Sequence, residues 1–288
     1  MSANEENKLT ELAQNLSCAI FEGTIFLTHP VRVTPLISAP LHGLAGWMLL
    51  EHAPELFHEQ FKPGQSGHNP GACLFQLASL PDSWSSCFRF RCITWDRELV
   101  LGPTLQRLMP LAAGRPLGRG KSLIECVVVR NYRSGTLHDL TDGHGEEKKQ
   151  YLVLVTPTML KAGSGRWRGP DGLGVQQLTA ATVQRLNLLS VTYGSGLELD
   201  PLVWQVQAAE TTVDYSSWRW ESPQRFSHTQ KSAIKLSGVS GFCRVGEMSP
   251  ALINLLTKAS LIHIGKHTAD GCGRMGLMPA SLVRIRLK

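Results

Sequence analysis

The sequence predicts an α+β protein with two domains. Its 288 residues suit two domains of ordinary size better than one. Hydrophobic residues make up 42% of the chain and charged residues 18%, so a substantial core can form and the chain as a whole is not disordered. Strand-like and helix-like stretches occur in both halves, and hydrophobicity falls between them. We therefore expect an N-terminal domain over residues 1–149, including a polar linker at 134–149, and a C-terminal domain over 150–288.

The first half opens with a strand followed by a helix. SCAIFEGTIFLTHP, residues 17–30, places apolar residues on one face of a strand. APLHGLAGWMLLEHAP, residues 39–54, then carries an apolar stripe at helical spacing, and Pro54 ends the predicted helix. Two further strands are predicted in CFRFRCITW, residues 87–95, and in SLIECVVVR, residues 122–130.

The second half shows a complete series of elements. Strands are predicted at 151–157, 201–210, 238–245 and 281–288, and helices at 176–193 and 249–261. Ser249 is the predicted N-cap of the last helix and Pro250 its first residue. The resulting order, β-α-β-β-α-β, is that of a ferredoxin-like domain. The first half begins with the same strand and helix.

Composition favours an acidic partner without identifying it. The net charge of +6 and the pI of 9.0 are compatible with binding to nucleic acid or to a membrane surface. Seven scattered cysteines form no C-x-x-C pair, which argues against a zinc ribbon or a thioredoxin-type site. The polar N-terminus is unlike a signal peptide, and no apolar run is long enough to span a membrane. We expect a cytoplasmic protein with free thiols, no metal, no cofactor and no membrane partner.

Two glycine motifs have part of the pattern of a nucleotide-binding site but lack other features that such a site requires. GCGRMG, residues 271–276, has the glycine spacing of a dinucleotide site, but only 12 residues follow and they contain no acid. GRPLGRGKS, residues 114–122, has Arg115 where a phosphate-binding P-loop requires glycine, and a strand-like stretch follows instead of a helix. Neither motif supports a nucleotide cofactor.

Nucleic-acid binding fits the basic and aromatic stretches better. Backbone amides in the glycine-rich loop at 265–276 can form a concave anion site, to which nearby lysine and arginine add charge. WRWESPQRFSHTQK, residues 218–231, and GRWRG, residues 165–169, mix aromatic rings with arginine, a combination that stacks on bases and neutralises phosphates. The alternative for each stretch is that the tryptophans are core and the arginines lie at solvated edges. The predicted RNA-contacting residues are Lys266, His267, Arg274, Arg219, Arg225, Arg166, Arg168, Trp167, Arg244, Lys231, Arg284 and Arg286.

These motifs carry a resemblance to a known family. The segment WRWESPQRFSHTQKSAIKLSGVSGFCRVGEMSPALINLLTKASLIHIGKHTADGCGRMGL resembles the C-terminal domain of the CRISPR repeat-processing endoribonucleases of the RAMP superfamily. The resemblance covers residues 150–288 and is carried by the arginine-serine element after a tryptophan, a G-x-x-G strand and the HIGK…GCGR loop. It implies two tandem ferredoxin-like (RRM-like) domains, packed together by the C-terminal glycine-rich loop, which also holds RNA.

The resemblance also implies an activity. Such proteins cut precursor CRISPR RNA within its repeat, at the base of a hairpin, without metal. The 2′-hydroxyl attacks the adjacent phosphate and leaves a 2′,3′-cyclic phosphate and a 5′-hydroxyl. The implied partners are the CRISPR repeat hairpin, which stays bound after cleavage, and other CRISPR effector subunits.

The implied general base is a histidine near the first helix of the N-terminal domain. His42, at the predicted helix start, is the first candidate, because a helix N-terminus lowers the pKa of a histidine and keeps it neutral. His29, in the predicted loop after the first strand, is a reserve, together with Arg32 and His267. Two alternatives stay open: a non-catalytic RAMP subunit that binds guide RNA in an effector complex, and an unrelated basic metabolic protein.

Overall fold

The computed structural model describes residues 3–60, 71–77, 83–118, 122–141, 150–162, 165–166, 170–227 and 232–279. The elements of the first half are α1 (Ala3–Gln14), β1 (Ser17–Val33), α2 (Ser38–His52), α3 (Pro54–Gln60), β2 (Cys73–Leu77), β3 (Ser83–Trp95), α4 (Leu101–Leu108), β4 (Ile124–Thr136) and α5 (Leu137–Thr141). Those of the second half are β5 (Gln150–Thr158), β6 (Lys161–Ala162), β7 (Gly165–Arg166), α6 (Val175–Tyr193), α7 (Pro201–Ala209), β8 (Val213–Glu221), β9 (Gln224–Ser227), β10 (Ser232–Lys235), β11 (Gly238–Val245), α8 (Pro250–Ile262) and β12 (Met275–Pro279). The predicted α+β class is confirmed.

The first half forms a four-stranded sheet in the order β2-β3-β1-β4, with antiparallel pairing throughout. Alternation of side chains decides which face is buried: Phe88 and Phe90 point into the core, while Arg89 is exposed on the other face. Phe90 packs edge-on against Phe21 of the neighbouring strand. Helices α2 and α4 lie against this sheet and cover its apolar face.

The second half forms another antiparallel four-stranded sheet, in the order β12-β5-β11-β8. Helices α6 and α8 pack against each other, and α8 contacts β12. The start of α8 is as predicted, because the Ser249 hydroxyl accepts a hydrogen bond from the Leu252 N–H at 3.2 Å and Pro250 takes the first turn. Buried residues from both sheets belong to one continuous hydrophobic cluster.

Residues 201–210 were predicted to be extended, and this prediction is wrong. The segment is helix α7, because the Asp200 carboxylate accepts a hydrogen bond from the Leu202 N–H at 2.9 Å and Pro201 occupies the first helical turn. Trp204 and Ala208, four residues apart, are its buried positions. The second strand of the sheet is instead β8, which contains the WRW stretch.

The predicted linker at 134–149 is wrong over its first part. Strand β4 continues to Thr136, and α5 follows because the Asp139 carboxylate accepts hydrogen bonds from both the backbone N–H and the hydroxyl of Thr136, at 3.0 and 2.7 Å. Leu137 is fully buried and its N–H donates to Leu16 O. Residues 142–149 lie outside the described part of the chain.

The C-terminal edge of the second sheet also differs from its prediction. Strand β12 begins at Met275, inside the segment predicted as the glycine-rich loop, so the loop itself ends at Arg274. The strand predicted at 281–288 lies outside the described residues.

Two short hairpins, β6–β7 and β9–β10, stand apart from the four-stranded sheets. The hairpin β9–β10 lies between β8 and β11 in the chain. Among the described residues, none of the helices is long and apolar enough to cross a membrane.

Candidate functional site

Four polar side chains from both halves of the chain meet beside the loop that follows α8; we call them the His42 cluster. Asp270 lies in this loop, with one carboxylate oxygen 3.0 Å from Arg225 Nε and the other 3.5 Å from His267 Nδ1. His42, on α2 of the first half, is close enough for the charges of Asp270 and Arg225 to act on its imidazole. The cluster therefore combines an imidazole from the first half with a cation, an acid and a second imidazole from the second half.

Local structure explains how each member reaches the cluster. Leu41, Leu44 and Ala45 bury one face of α2 in the core, which leaves the neighbouring His42 at the edge of that face, partly exposed. Arg225 is carried by the hairpin β9–β10, where it pairs with Ile234. The loop segment Thr268–Asp270 forms a single 3-10 turn that contacts both α2 and β2.

The pKa of His42 is lowered to about 4. Burial is the main cause, since a desolvated imidazole resists protonation; the Arg225 charge lowers the pKa further and the Asp270 charge opposes this. The sequence predicted a lowered pKa from the helix N-terminus, but His42 is the fifth residue of α2 and the larger cause is burial. The consequence is the same: His42 is neutral at pH 7 and can accept a proton.

The glycine-rich loop packs its backbone against the end of β5. The Ile264 N–H donates to Gly273 O at 2.9 Å, the Lys266 N–H to Met159 O at 3.1 Å, and the Gly273 N–H to Pro157 O at 3.1 Å. A Cβ on Gly273 would lie 1.8 Å from Ile264 O, so only glycine fits there.

This packing uses several of the loop amides that were predicted to form an anion site. The amides of Asp270, Gly271 and Cys272 donate within the loop, and the Arg274 N–H donates to the Thr156 hydroxyl at 2.9 Å. With those of Lys266 and Gly273, these amides are occupied inside the protein. Glycine is needed here because the chain approaches itself closely.

Arg274 joins the two halves. Its guanidinium donates to Leu77 O, at the end of β2, at 2.7 Å, and burial lowers its pKa to about 10. Arg274, which was predicted to contact RNA, thus makes a contact inside the protein. The partly buried Arg274 gives Leu77 O a hydrogen-bond donor in place of the water that this carbonyl loses on folding.

Gln76 and His263 form a second junction between the halves. Gln76 Nε2 donates to Ser260 O at 2.8 Å and lies 2.9 Å from His263 Nε2. His263 Nδ1 lies 3.1 Å from Cys272 O, which fits an imidazole that donates through Nδ1 and accepts at Nε2. Burial, with the Arg274 and Arg185 charges, lowers the pKa of His263 to about 3.

His29 and Arg32 lie within β1, whereas His29 was predicted to lie in a loop after the first strand. Both are exposed. The Ser122 hydroxyl donates to His29 O at 2.7 Å and accepts from the His29 N–H at 3.2 Å, and Arg32 pairs with Trp84 of β3. These backbone contacts tie this end of β1 to the neighbouring strands.

The remaining predicted RNA contacts are spread over the second half. Arg219 on β8 is 75% exposed, with Nε 2.7 Å from Glu221, whereas Arg244 on β11 is partly buried. In the loop, His267 is exposed and Lys266 is partly buried. Arg166 lies in β7, where side chains are not described; the predicted contacts outside the described residues are Trp167, Arg168, Lys231, Arg284 and Arg286.

The outer face of the first sheet carries a further group of arginines that the sequence analysis did not assign to RNA. Glu22 lies 2.9 Å from Arg91 and 3.4 Å from Arg89, and Asn131 donates to it at 3.2 Å. The hydrogen bond from Arg91 holds the pKa of Glu22 below its usual range. Glu22 and Asn131 also line an open cavity together with Ile20 and Arg133.

Asp270 and Gln76 are the site residues that sequence reasoning missed. The only sequence signal for Asp270 is its spacing of three residues from His267 in a loop, which a turn brings together. Nothing local marks Gln76, because its partners lie 184 and 187 residues further along the chain. Among the described residues no group of three potential ligands has the arrangement of a metal site.

Comparisons with known proteins agree with this architecture. Residues 152–275 match the family model of the CRISPR-associated endoribonuclease Cas6. The product complex of Cas6 (TTHB231), a protein of Thermus thermophilus, has a TM-score of 0.60 at 19% identity, covering 92% of this chain and 100% of that one. The product complex of Cas6 (TTHA0078) gives 0.57 at 16%, covering 90% and 99%. A RAMP protein that binds different RNA substrates gives 0.51 at 11%, covering 91% and 99%. A search of curated proteins returned no match.

The fold comes first: it is shared with the Cas6 and RAMP proteins to which the chain is similar. More particularly, residues 152–275 are similar to the family of CRISPR-associated endoribonucleases named Cas6, the family that the sequence resembles.

Proposed function

We propose that this chain is a metal-independent endoribonuclease that cuts precursor CRISPR RNA within its repeat, with His42 as the general base. The observation that carries the proposal is the His42 cluster. It combines a histidine that is neutral at pH 7 with the Arg225 cation, at the junction between the two halves. An acceptor for a proton and a cation for developing negative charge are what this reaction requires.

The reaction needs no external nucleophile. His42 takes the proton from the 2′-hydroxyl, which attacks the adjacent phosphorus and forms a 2′,3′-cyclic phosphate. Arg225 stabilises the extra negative charge on the phosphate oxygens, and Asp270 lies 3.0 Å from its Nε. The bond to the 5′ oxygen breaks, and His267, which is exposed beside the same cluster, supplies the proton that makes the 5′-hydroxyl.

RNA binding extends beyond the reacting phosphate. We assign it to the predicted residues that the structure leaves exposed or partly exposed, Lys266, His267, Arg219, Arg225 and Arg244, and to the predicted basic residues outside the described part. The substrate is the CRISPR repeat hairpin, and the cut RNA stays bound. Two Cas6 neighbours are product complexes, and another belongs to a Cas6-RT-Cas1–Cas2 complex, which supports RNA and other CRISPR proteins as partners.

We also infer that the chain consists of two tandem ferredoxin-like domains, over residues 1–149 and 150–288. The sheet orders support this division. In each half the first and third strands are central, the second and fourth are at the edges, and all pairs are antiparallel, which is the arrangement of the split β-α-β fold.

Cleavage of a repeat RNA in EDTA tests the function. We expect the wild-type protein to cut the repeat once and leave a 2′,3′-cyclic phosphate. His42→Ala should keep its affinity for the repeat and lose at least a hundredfold in cleavage rate, the usual contribution of a general base. His52→Ala, on the same helix, is the matched control and should cut normally. Uncut RNA in EDTA with tight binding would instead favour the non-catalytic RAMP subunit.

A further inference from the structure

We propose that Asp270 is a positioning residue whose carboxylate holds Arg225 and His267 against His42, so that cleavage depends on an acid that donates nothing to the RNA. This inference rests on the proposed function, because it concerns how the same site is assembled. It assigns a role to the one carboxylate of the His42 cluster.

The two oxygens of the carboxylate have separate partners. Oδ1 lies 3.0 Å from Arg225 Nε, and Oδ2 lies 3.5 Å from His267 Nδ1. The Asp270 side chain is 14% exposed and the Arg225 side chain 30%, so solvent screens this pair less than a pair on the open surface. One acid thus lies within ion-pair distance of two side chains that come from different segments of the chain.

The carboxylate is itself fixed by the loop. The Asp270 N–H donates to His267 O at 3.0 Å and the Gly271 N–H donates to Thr268 O at 2.9 Å, which closes the turn on both sides of the acid. Gly271 has a φ of +88°, a conformation that glycine adopts without strain. The turn contacts α2 and β2, so Asp270 keeps its place relative to the helix that carries His42.

The position of Arg225 depends on its contact with Asp270. It sits on the two-stranded ribbon β9–β10, which belongs to neither four-stranded sheet. A two-stranded hairpin by itself is marginally stable, and a long arginine side chain has many rotamers. The ion pair with Asp270 ties both the ribbon and the guanidinium to the loop, and hence to His42.

A positioning role predicts that removal of the Asp270 carboxylate changes RNA affinity and cleavage rate in opposite directions. A carboxylate close to a polyanion opposes RNA binding, so its removal should leave affinity unchanged or increase it. Its removal also frees Arg225 and His267 from the geometry that the reaction needs, so cleavage should slow. A residue that only stabilised the fold would lower both.

The test compares Asp270→Asn and Asp270→Glu with Asp171→Asn, an exposed acid in a different 3-10 turn, as the matched control. Single-turnover rates with saturating protein and dissociation constants for the uncut repeat are measured in EDTA. We expect Asp270→Asn to cut at least tenfold more slowly at equal or tighter affinity, Asp270→Glu to recover part of the rate, and the control to behave as wild type.

The pH dependence gives a second readout. Asp270 and Arg225 face His42, and loss of the acid removes the charge that favours its protonated form. The acid limb of the rate profile should therefore move to lower pH in Asp270→Asn. A wild-type rate in Asp270→Asn, or a joint loss of rate, affinity and melting temperature, would overturn the inference. If wild type fails to cut, or His42→Ala cuts normally, the proposed function is at fault instead.

Discussion

Replacement of Arg274 separates a packing role from RNA binding, the two roles that a basic residue in this loop can have. In Arg274→Met the apolar stem is largely kept, while the 2.7 Å hydrogen bond to Leu77 O is lost and that carbonyl loses a partner. Hydrogen bonds that involve a charged group contribute about 1.5–3 kcal/mol. We expect the free energy of unfolding to fall by about that amount.

The melting temperature converts this loss into a measurable shift. For a domain of 150–250 residues a loss of 1 kcal/mol lowers the melting temperature by roughly 2–4 °C, so we expect a drop of roughly 3–12 °C. Arg219→Met is the matched control. Its side chain is 75% exposed and its ion pair with Glu221 lies at the surface, so its removal should cost at most about 1 kcal/mol.

The salt dependence of RNA affinity supplies the discriminating result. Each phosphate contact with a single strand contributes about 0.7 to the slope of log affinity against log salt concentration. We expect Arg274→Met to leave this slope unchanged and Arg219→Met to reduce it. An unchanged melting temperature in Arg274→Met, together with a slope reduced by one contact, would refute the packing role.

Three further outcomes are expected. Gly273→Ala should lower the melting temperature, because its Cβ would meet Ile264 O at 1.8 Å and its φ is +76°. The free energy of unfolding should fall as pH drops from about 6.5 towards 3, by up to about 1.4 kcal/mol per pH unit for His263. The reason is that the lowered pKa of His263 makes the unfolded chain bind the proton at higher pH than the folded chain. In His263→Asn, the free energy of unfolding measured in urea should depend less on pH over that range. The acid limb of kcat/KM should lie near the His42 pKa of about 4; a limb near 6.5 would contradict His42 as the base.

Sequence periodicity was sufficient for the elements whose apolar pattern is strong. The strands at 151–157 and 238–245 and the helix from Pro250 were predicted within one residue of their observed bounds, because alternation or a cap marks each of them. The prediction for residues 201–210 was wrong because a short apolar run suits a strand as well as a helix. The Asp-Pro pair at its start is the local signal that favours a helix.

Residue type alone pointed to the glycine-rich loop but did not predict what its backbone amides and Arg274 contact. The HIGK…GCGR pattern marked the loop that carries Asp270 and His267, and the sequence singled out His42 as a candidate base; both remain predictions as functional groups. The same pattern suggested free amides and a free arginine, whereas the backbone of the loop bonds to β5 and Arg274 bonds to Leu77. Whether a donor faces solvent or another part of the chain depends on contacts that are distant in sequence.

The sequence by itself determined the α+β class and most of the alternation of helices and strands, and it carried the family resemblance, because these depend on local composition and spacing. Tertiary structure alone decided that Asp270 stands between Arg225 and His267, that His42 comes to the same place from the other half, and that burial keeps His42 neutral. The physical reason is that pKa values and ion pairs depend on distance and on access to water. Both are set only when segments distant in the chain, such as those of His42 and Asp270, pack together.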